Sequence, residues 1–412
     1  MTELARRLGP GDAVAIGLGS MIGAGAFVVW GPAARAAGSW LLLSLVLAAV
    51  VAACNAWSSG ALAARYPSAG GTYVYGRERL GPFAGYLAGW SFVVGKIASC
   101  AAMAMAVAAY LAPGREQVAA VVAVVAITVL NLSGVQRSAG VSKVIVSVVL
   151  AVLLGVLVAG LAGGGASVHP DAWAQGTSPY GVLQGAGLIF FAFAGYARIA
   201  TLAEEVRDPE RTIPRAITIT VVTVLGLYAV IAVLALGILG PGQLAASPDP
   251  VAAATAVVLG DPWVWAVRGV AALAACGALL NLILGISRTS LAMARDGYLP
   301  SALAGIDHRQ VPRNAESAVG ATVIALVLVV DLRGAIGFSS FGVLTYYAVA
   351  NASAWTLRGD WRGAPVVPAV GLVGCVALAA TLPWPSVVGG VVVLAVGVVW
   401  FLIFHWRARQ SG

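Results

Sequence analysis

The sequence predicts an all-α integral membrane protein of about twelve transmembrane helices, and three observations carry that expectation. Of 412 residues, 60% are hydrophobic and only 10% charged, with a mean hydropathy of +0.93. A soluble domain carries about 25% charged residues to solvate its surface, so lipid must supply most of the contact surface here. The apolar residues also fall into about twelve stretches of roughly 18–25 residues, the length a helix needs to cross ~30 Å of hydrocarbon. Finally, runs such as 141–162 lack the apolar/polar alternation of a barrel strand and exceed its length.

The stretches lie near 11–35, 39–63, 83–111, 116–133, 141–162, 181–202, 214–239, 264–287, 315–331, 335–356, 365–382 and 385–405. The first has no convincing cleavage site and runs directly into further spans, so it reads as a helix and not as a signal peptide. Basic residues that flank spans stay cytoplasmic. With the N-terminus inside, 18 of the 24 Lys and Arg residues fall on that side, from Arg6 and Arg7 through Arg65, Arg77, Arg207, Arg211, Arg295 and Arg313 to Arg407 and Arg409. Arg35, Arg115, Arg268 and Arg333 fall outside, and Lys96 and Arg198 fall within spans. The expectation is a multi-pass protein of the cytoplasmic membrane with both termini in the cytoplasm. This asymmetry accounts for the net charge of +8, and no nucleic-acid partner is implied. Cys54, Cys100, Cys276 and Cys375 sit in apolar segments without paired spacing. They read as small packing residues, with neither disulfides nor a metal site.

No long linker divides the chain, which reads as one domain over 1–412. Its sizeable hydrophilic segments are 64–82, 164–180, 203–213, 240–262 and 288–314, of which 164–180 and 240–262 face outward in this topology. Span one is interrupted by Gly17-Leu18-Gly19-Ser20-Met21-Ile22-Gly23-Ala24-Gly25, and span six carries Phe190-Phe191-Ala192-Phe193-Ala194-Gly195-Tyr196 near its middle. The offset of five spans gives the two interrupted helices opposite directions. That points to two inverted five-helix halves, 11–162 and 181–356, with two additional helices in 365–405 and a binding site at the midplane. Gly19 and Gly23 also fit a small-xxx-small packing pattern, but four glycines in nine residues favour unwinding. The Gly-x-Gly pairs 17/19 and 23/25 lack the third glycine, strand and acidic residue of a dinucleotide loop.

At these residues the sequence resembles the amino acid–polyamine–organocation (APC) superfamily. Gly19-Ser20-Met21-Ile22-Gly23-Ala24-Gly25-Ala26-Phe27 is similar to its first-helix hallmark, with Ala26 where Ile is usual. Tyr66-Pro67-Ser68-Ala69-Gly70-Gly71-Thr72-Tyr73-Val74-Tyr75, followed by Gly81-Pro82 and Gly89-Trp90, resembles the loop between helices two and three. Ala203-Glu204-Glu205-Val206-Arg207-Asp208-Pro209 with Ile213-Pro214-Arg215-Ala216 resembles the end of helix six, and Ser287-Arg288 with Met293-Ala294-Arg295-Asp296-Gly297 the end of helix eight. The resemblance implies a leucine-transporter-type fold, a midplane site and alternating access.

It also implies a permease for small amino acids, with Ser20, Met21, Ile22, Gly23, Ala24, Gly25, Phe191, Ala192, Phe193, Ala194 and Gly195 around the substrate. Physically, the helix beyond Gly25 presents unpaired N–H groups and the positive end of its dipole to an α-carboxylate. Freed carbonyls around Ile22, Phe191 and Ala192 suit an ammonium. By resemblance, Phe193 or Phe191 closes over the substrate. No cofactor is implied.

All sixteen acidic residues lie in loops or near membrane edges. Relatives that carry cationic amino acids often have an acid just after the Gly-aromatic pair of helix six, where this chain has Ala197 and then Arg198. Neutral or acidic amino acids are therefore expected over lysine, arginine or polyamines. Arg198 reads either as a snorkelling residue paired with Glu204 or Glu205 or as a substrate or gate contact. Glu204, Glu205, Arg207, Asp208 and Arg211 read as an inner gate or loop anchor. The helix-five lysine of many proton-coupled relatives aligns with Val149, and helix eight offers only Asn281 within 271–286, so the coupling ion stays open between proton symport and exchange. Lys143 reads as an interfacial lysine. Lys96, near the middle of span three, is either a structural lysine on freed carbonyls of the broken first helix or a proton carrier. Rivals are an amine or polyamine exchanger of the same fold, a channel, and a membrane enzyme. No selectivity filter, Gly-x-Ser-x-Gly or His-Glu-x-x-His string occurs, and His169, His308 and His405 lie far apart.

Overall fold

Proline at the first helical position, where the missing N–H costs nothing, starts many of the helices: Pro10, Pro82, Pro179, Pro209 and Pro250. The computed structural model describes residues 8–66, 70–133, 139–162, 178–200, 206–307, 311–357 and 365–410, and the regular elements within them are helices. In chain order they are α1 (Pro10–Met21), α2 (Gly25–Val28), α3 (Trp30–Ala37), α4 (Leu41–Arg65), α5 (Thr72–Leu80), α6 (Pro82–Leu111), α7 (Glu116–Leu132), α8 (Ala139–Ala162) and α9 (Pro179–Phe193). There follow α10 (Ala197–Ala200), α11 (Pro209–Ala246), α12 (Pro250–Leu259), α13 (Asp261–Arg295), α14 (Arg313–Val329), α15 (Leu332–Trp355), α16 (Val366–Ala380) and α17 (Trp384–Gln410).

Among the described residues, six helical segments are long and apolar enough to cross a membrane: Trp30–Arg65, Pro82–Leu111, Lys143–Gly160, Pro209–Ala246, Asp261–Arg295 and Trp384–Ile403. The other predicted spans are helical but differ in identifiable ways. Spans one and six are each split. The helices α7 and α14 have 17 residues and α16 has 15. In α15 the apolar run is diluted by Ser339, Ser340, Asn351 and Ser353, all buried against other helices. Two predicted hydrophilic segments hold helices of their own, α5 within 64–82 and α12 within 240–262. Span seven is longer than its apolar run and bends at Gly240, whose φ of 69° only glycine adopts without strain.

Small residues let the bundle close. At the crossing of α6 and α15 a Cβ on Gly342 would stand 2.7 Å from the Gly95 Cα, so the two backbones touch. One turn along, the Ser99 and Ser339 hydroxyls share a hydrogen bond of 2.6 Å. A second polar cluster ties α4, α15 and α16. The Asn351 amide donates to Asn55 Oδ1 at 2.6 Å and to the Tyr347 carbonyl at 2.9 Å, while Ser58 donates to Asn351 Oδ1 at 2.7 Å and the Cys375 thiol to Asn55 Oδ1 at 3.3 Å.

At one end of the bundle α5 is fastened across the ends of α13 and α15. The Tyr73 hydroxyl donates to Asp296 Oδ2, which also receives Arg77 at 3.0 Å. The Arg77 guanidinium lies 5.5 Å above the Tyr73 ring, and the Tyr73 ring meets Tyr298 edge-on. The Thr72 N–H donates to the Tyr346 hydroxyl at 3.1 Å, and Arg79 donates to the Thr356 hydroxyl at 2.7 Å. Burial, and then the bond to Asp296, holds the Tyr73 phenol above its ordinary pKa, so it remains a donor. A hydrogen bond to a charged group contributes about 1.5–3 kcal/mol. Tyr73→Phe should therefore lower the thermal midpoint of the purified protein by several degrees. An unchanged midpoint would mean that Tyr73 contributes only its ring.

Candidate functional site

The α1 helix ends at Met21, and the Ile22 N–H still reaches the Leu18 carbonyl at 2.7 Å. Helical dihedrals are then lost, with Ile22 at φ −84°, ψ 57°, and helix resumes at Gly25. Among the described residues, the Gly23, Ala24 and Gly25 N–H groups have no hydrogen-bond partner and the Ile22 carbonyl accepts none. Ile22, Gly23, Ala24 and Gly25 are nonetheless buried. The chain thus presents unpaired donors and an acceptor within a buried break.

The sixth span breaks opposite it. The α9 helix stops at Phe193, a 3-10 turn covers Ala194–Tyr196, and α10 resumes at Ala197. The two breaks are in contact. A Cβ on Gly195 would fall on the Ser20 carbonyl and stand 2.6 Å from the Met21 nitrogen, and one on Gly25 would stand 2.8 Å from the Ala192 Cα. A Cβ on Gly23 would stand 2.9 Å from the Ala278 Cβ. In this conformation the nearest neighbours of Gly23 and Gly25 are therefore protein atoms. The glycines serve close packing as well as the break.

Two side chains bind the freed carbonyls. The Tyr228 hydroxyl of α11 lies 2.8 Å from the Met21 carbonyl and 3.1 Å from the Ala192 carbonyl, so one donor spans both breaks. Its ring is wedged edge-on between Trp30 and Phe193. Sequence reasoning missed Tyr228. The available signal was that it is the only aromatic residue in 214–239, and a tyrosine inside an apolar span needs a partner for its hydroxyl. Lys96 is 5% exposed and donates from Nζ to the Ala194 carbonyl at 3.0 Å. The structural expectation put Lys96 on the broken first helix, but it reaches the broken sixth. It has no ion-pair partner among the described residues.

The other expected site residues divide. Ser20, Met21, Ile22, Gly23, Ala24, Gly25, Phe191, Ala192, Ala194 and Gly195 line the junction of the two breaks. Of the two candidate lids, Phe191 lies beside Gly25, whereas Phe193 is fully buried against Tyr228. Arg198 is half-buried in α10. Glu204 and Glu205 lie outside the described residues. Below the breaks the start of α1 is tied down twice: Lys143 pairs with Asp12 at 2.6 Å, and the Arg207 N–H donates to the Leu8 carbonyl at 2.9 Å. Lys143 is therefore an ion-pair partner and not merely interfacial.

Over residues 8–405 the sequence matches the amino acid permease family. The chain belongs to that family. The permease is 57% identical over 416 aligned positions to an uncharacterized transporter of Mycobacterium tuberculosis, covering 99% of its own chain and 94% of that protein. It is 27% identical to a branched-chain amino acid permease of Bacillus subtilis, covering 99% of its own chain and 95% of that protein. It is 32% identical to the vacuolar cationic amino acid transporter 2 of Arabidopsis thaliana over 86% of its own chain but only 60% of that protein. The permease is thus an all-helical, multi-pass membrane transporter and not an enzyme.

Gly195→Ala should disable the permease. Overpacking costs about 1–3 kcal/mol in a tight interior, and this Cβ would meet backbone that cannot rotate away. Uptake into proteoliposomes should fall at least about tenfold, while Gly226→Ala, with no atom within 4 Å of its Cβ, behaves as wild type. Equal activity in the two variants would show that the breaks need not touch. Tyr228→Phe keeps the ring but frees both carbonyls, at about 0.5–1.5 kcal/mol per lost bond. Uptake should drop with little change in protein yield, and unchanged kinetics would leave the hydroxyl without a role.

Proposed function

We propose that this permease carries small neutral or acidic amino acids across the cytoplasmic membrane by alternating access. The observation that supports the reading is the meeting of two broken spans, with unpaired Gly23, Ala24 and Gly25 N–H groups and the free Ile22 carbonyl at their junction. The N–H groups suit the α-carboxylate, the carbonyl suits the ammonium, and Phe191 is the side chain beside them. Under this proposal the breaks part to admit substrate and re-form their contact once it has left.

The fold that goes with it is a single domain of twelve spans in two inverted five-helix halves, 11–162 and 181–356, with 365–405 outside the repeat and both termini cytoplasmic. The Lys143–Asp12 pair and the Leu8–Arg207 contact then form an inner gate that releases the start of α1.

Lys96 bears on both selectivity and coupling. A buried ammonium on the sixth-span break opposes a second positive charge there and suits a negative one. Its bond to Ala194 also ties its protonation to the break, so we assign it the coupling proton. In Lys96→Ala, substrate binding should persist while uptake loses its dependence on a proton gradient. Unchanged pH dependence would leave Lys96 a structural residue.

A second reading comes from the Arabidopsis relative, whose name specifies cationic amino acids. A thermal-shift screen of the purified protein against alanine, leucine, glutamate, arginine and putrescine separates the two, because a bound ligand at 100 times its Kd stabilises by about 2.7 kcal/mol. Alanine, leucine or glutamate should give the largest shift. Arginine or putrescine giving the largest shift, with saturable uptake, would overturn the charge argument.

A further inference from the structure

Glu316 is a buried carboxyl that the transport reading leaves unused. It lies in the first turn of α14, its N–H on the Pro312 carbonyl at 2.9 Å, and its side chain is 0% exposed. Among the described residues, neither carboxyl oxygen has a hydrogen-bond partner. Asp249, the other buried carboxylate among the described residues, is the contrast: its Oδ2 receives two bonds from Arg268, at 2.9 and 2.6 Å.

Among the described residues, the charges that act on Glu316 are Arg288 of α13 and Asp307 of the segment before α14. Asp307 is itself engaged by the Val311 N–H at 3.0 Å and by Arg313 at 3.5 Å. The α7 helix runs antiparallel to α14, Gln117 reaching the Leu328 carbonyl at 3.2 Å, so its one acid, Glu116, lies at the far end. On α6 the one charged side chain, Lys96, is spent on Ala194. The 3-10 turn Ser301–Ala304 carries no ionisable side chain. The N-terminal end of α14 and Arg288 favour a carboxylate, but among the described residues no donor, Arg288 included, comes within bonding distance of either oxygen. An enclosed carboxylate without donors is far costlier than the neutral acid.

We propose that Glu316 is a proton-binding site on the cytoplasmic side of the permease, holding its proton in this closed conformation. This rests on the orientation and alternating access proposed above, but not on the role given to Lys96. When the ends of α13 and α14 part, the carboxyl O–H breaks, its proton passes to cytoplasmic water and its electron pair stays on the carboxylate. Arg288 then faces the new negative charge. Transport through this gate is thereby sensitive to cytoplasmic pH.

Infrared difference spectroscopy of the full-length protein in lipid nanodiscs tests it, because a protonated carboxyl and a carboxylate absorb separately. At neutral pH the exposed carboxyls are ionised, about three pH units above their ordinary pKa values. The wild type should show a protonated-carboxyl band that is lost at high pH, absent from Glu316→Gln and retained in Lys96→Ala. Should Glu316→Gln fail to fold, carbon-13 glutamate in the wild type gives the same assignment by shifting the band. A neutral-pH spectrum without the band overturns the proposal, as does a band that survives Glu316→Gln or ignores the label.

Discussion

Hydrocarbon offers nothing to hydrogen-bond a peptide group, so a helix broken within a bilayer must find partners for its freed backbone inside the protein. The organisation around spans one and six follows from that constraint. The carbonyls of Met21 and Ala192 take one hydroxyl, from Tyr228, and that of Ala194 takes the Lys96 ammonium. Among the described residues, the Ile22 carbonyl and the Gly23, Ala24 and Gly25 N–H groups still have no partner.

The same constraint dictates the side-chain sizes. Two interrupted backbones can share one tyrosine only if they approach to van der Waals distance, which is why Gly195 faces Ser20 and Gly25 faces Ala192. Around them α6 and α15 cross at Gly95 and Gly342, without side chains between. In lipid, where apolar burial gives helices little reason to associate, such close contact and a few interhelical hydrogen bonds supply the cohesion. The Ser99–Ser339 bond and the Asn55–Asn351 cluster supply the latter.

That the chain is an all-helical membrane protein was legible because lipid exposure leaves its mark on composition. The breaks were legible because glycine is costly in a helix, and a stretch with four in nine residues holds helical geometry poorly. Partners were not legible. Nothing local to Lys96 says whether it faces span one or span six, since that depends on the rotation of α6 against both. Tyr228 looks like any aromatic in an apolar run until the carbonyls beneath it are placed. The helices α5 and α12 escaped notice because length and hydropathy identify spans, whereas these helices lie within the predicted hydrophilic segments. Glu316 stands at the very start of its apolar run, where the sequence reads as a membrane edge, and its burial follows from how the helices pack around α14.

The fastening of α5 has a consequence for how such chains vary. Tyr73 and Arg77 share a single acceptor, Asp296, more than two hundred positions away, so neither segment can drift without the other. The helix α5 and the end of α13 are one structural unit written in two places. A chimera that exchanges one of them for the counterpart in a distant relative would pair mismatched halves of a clasp, and a graft of this region has to carry both pieces.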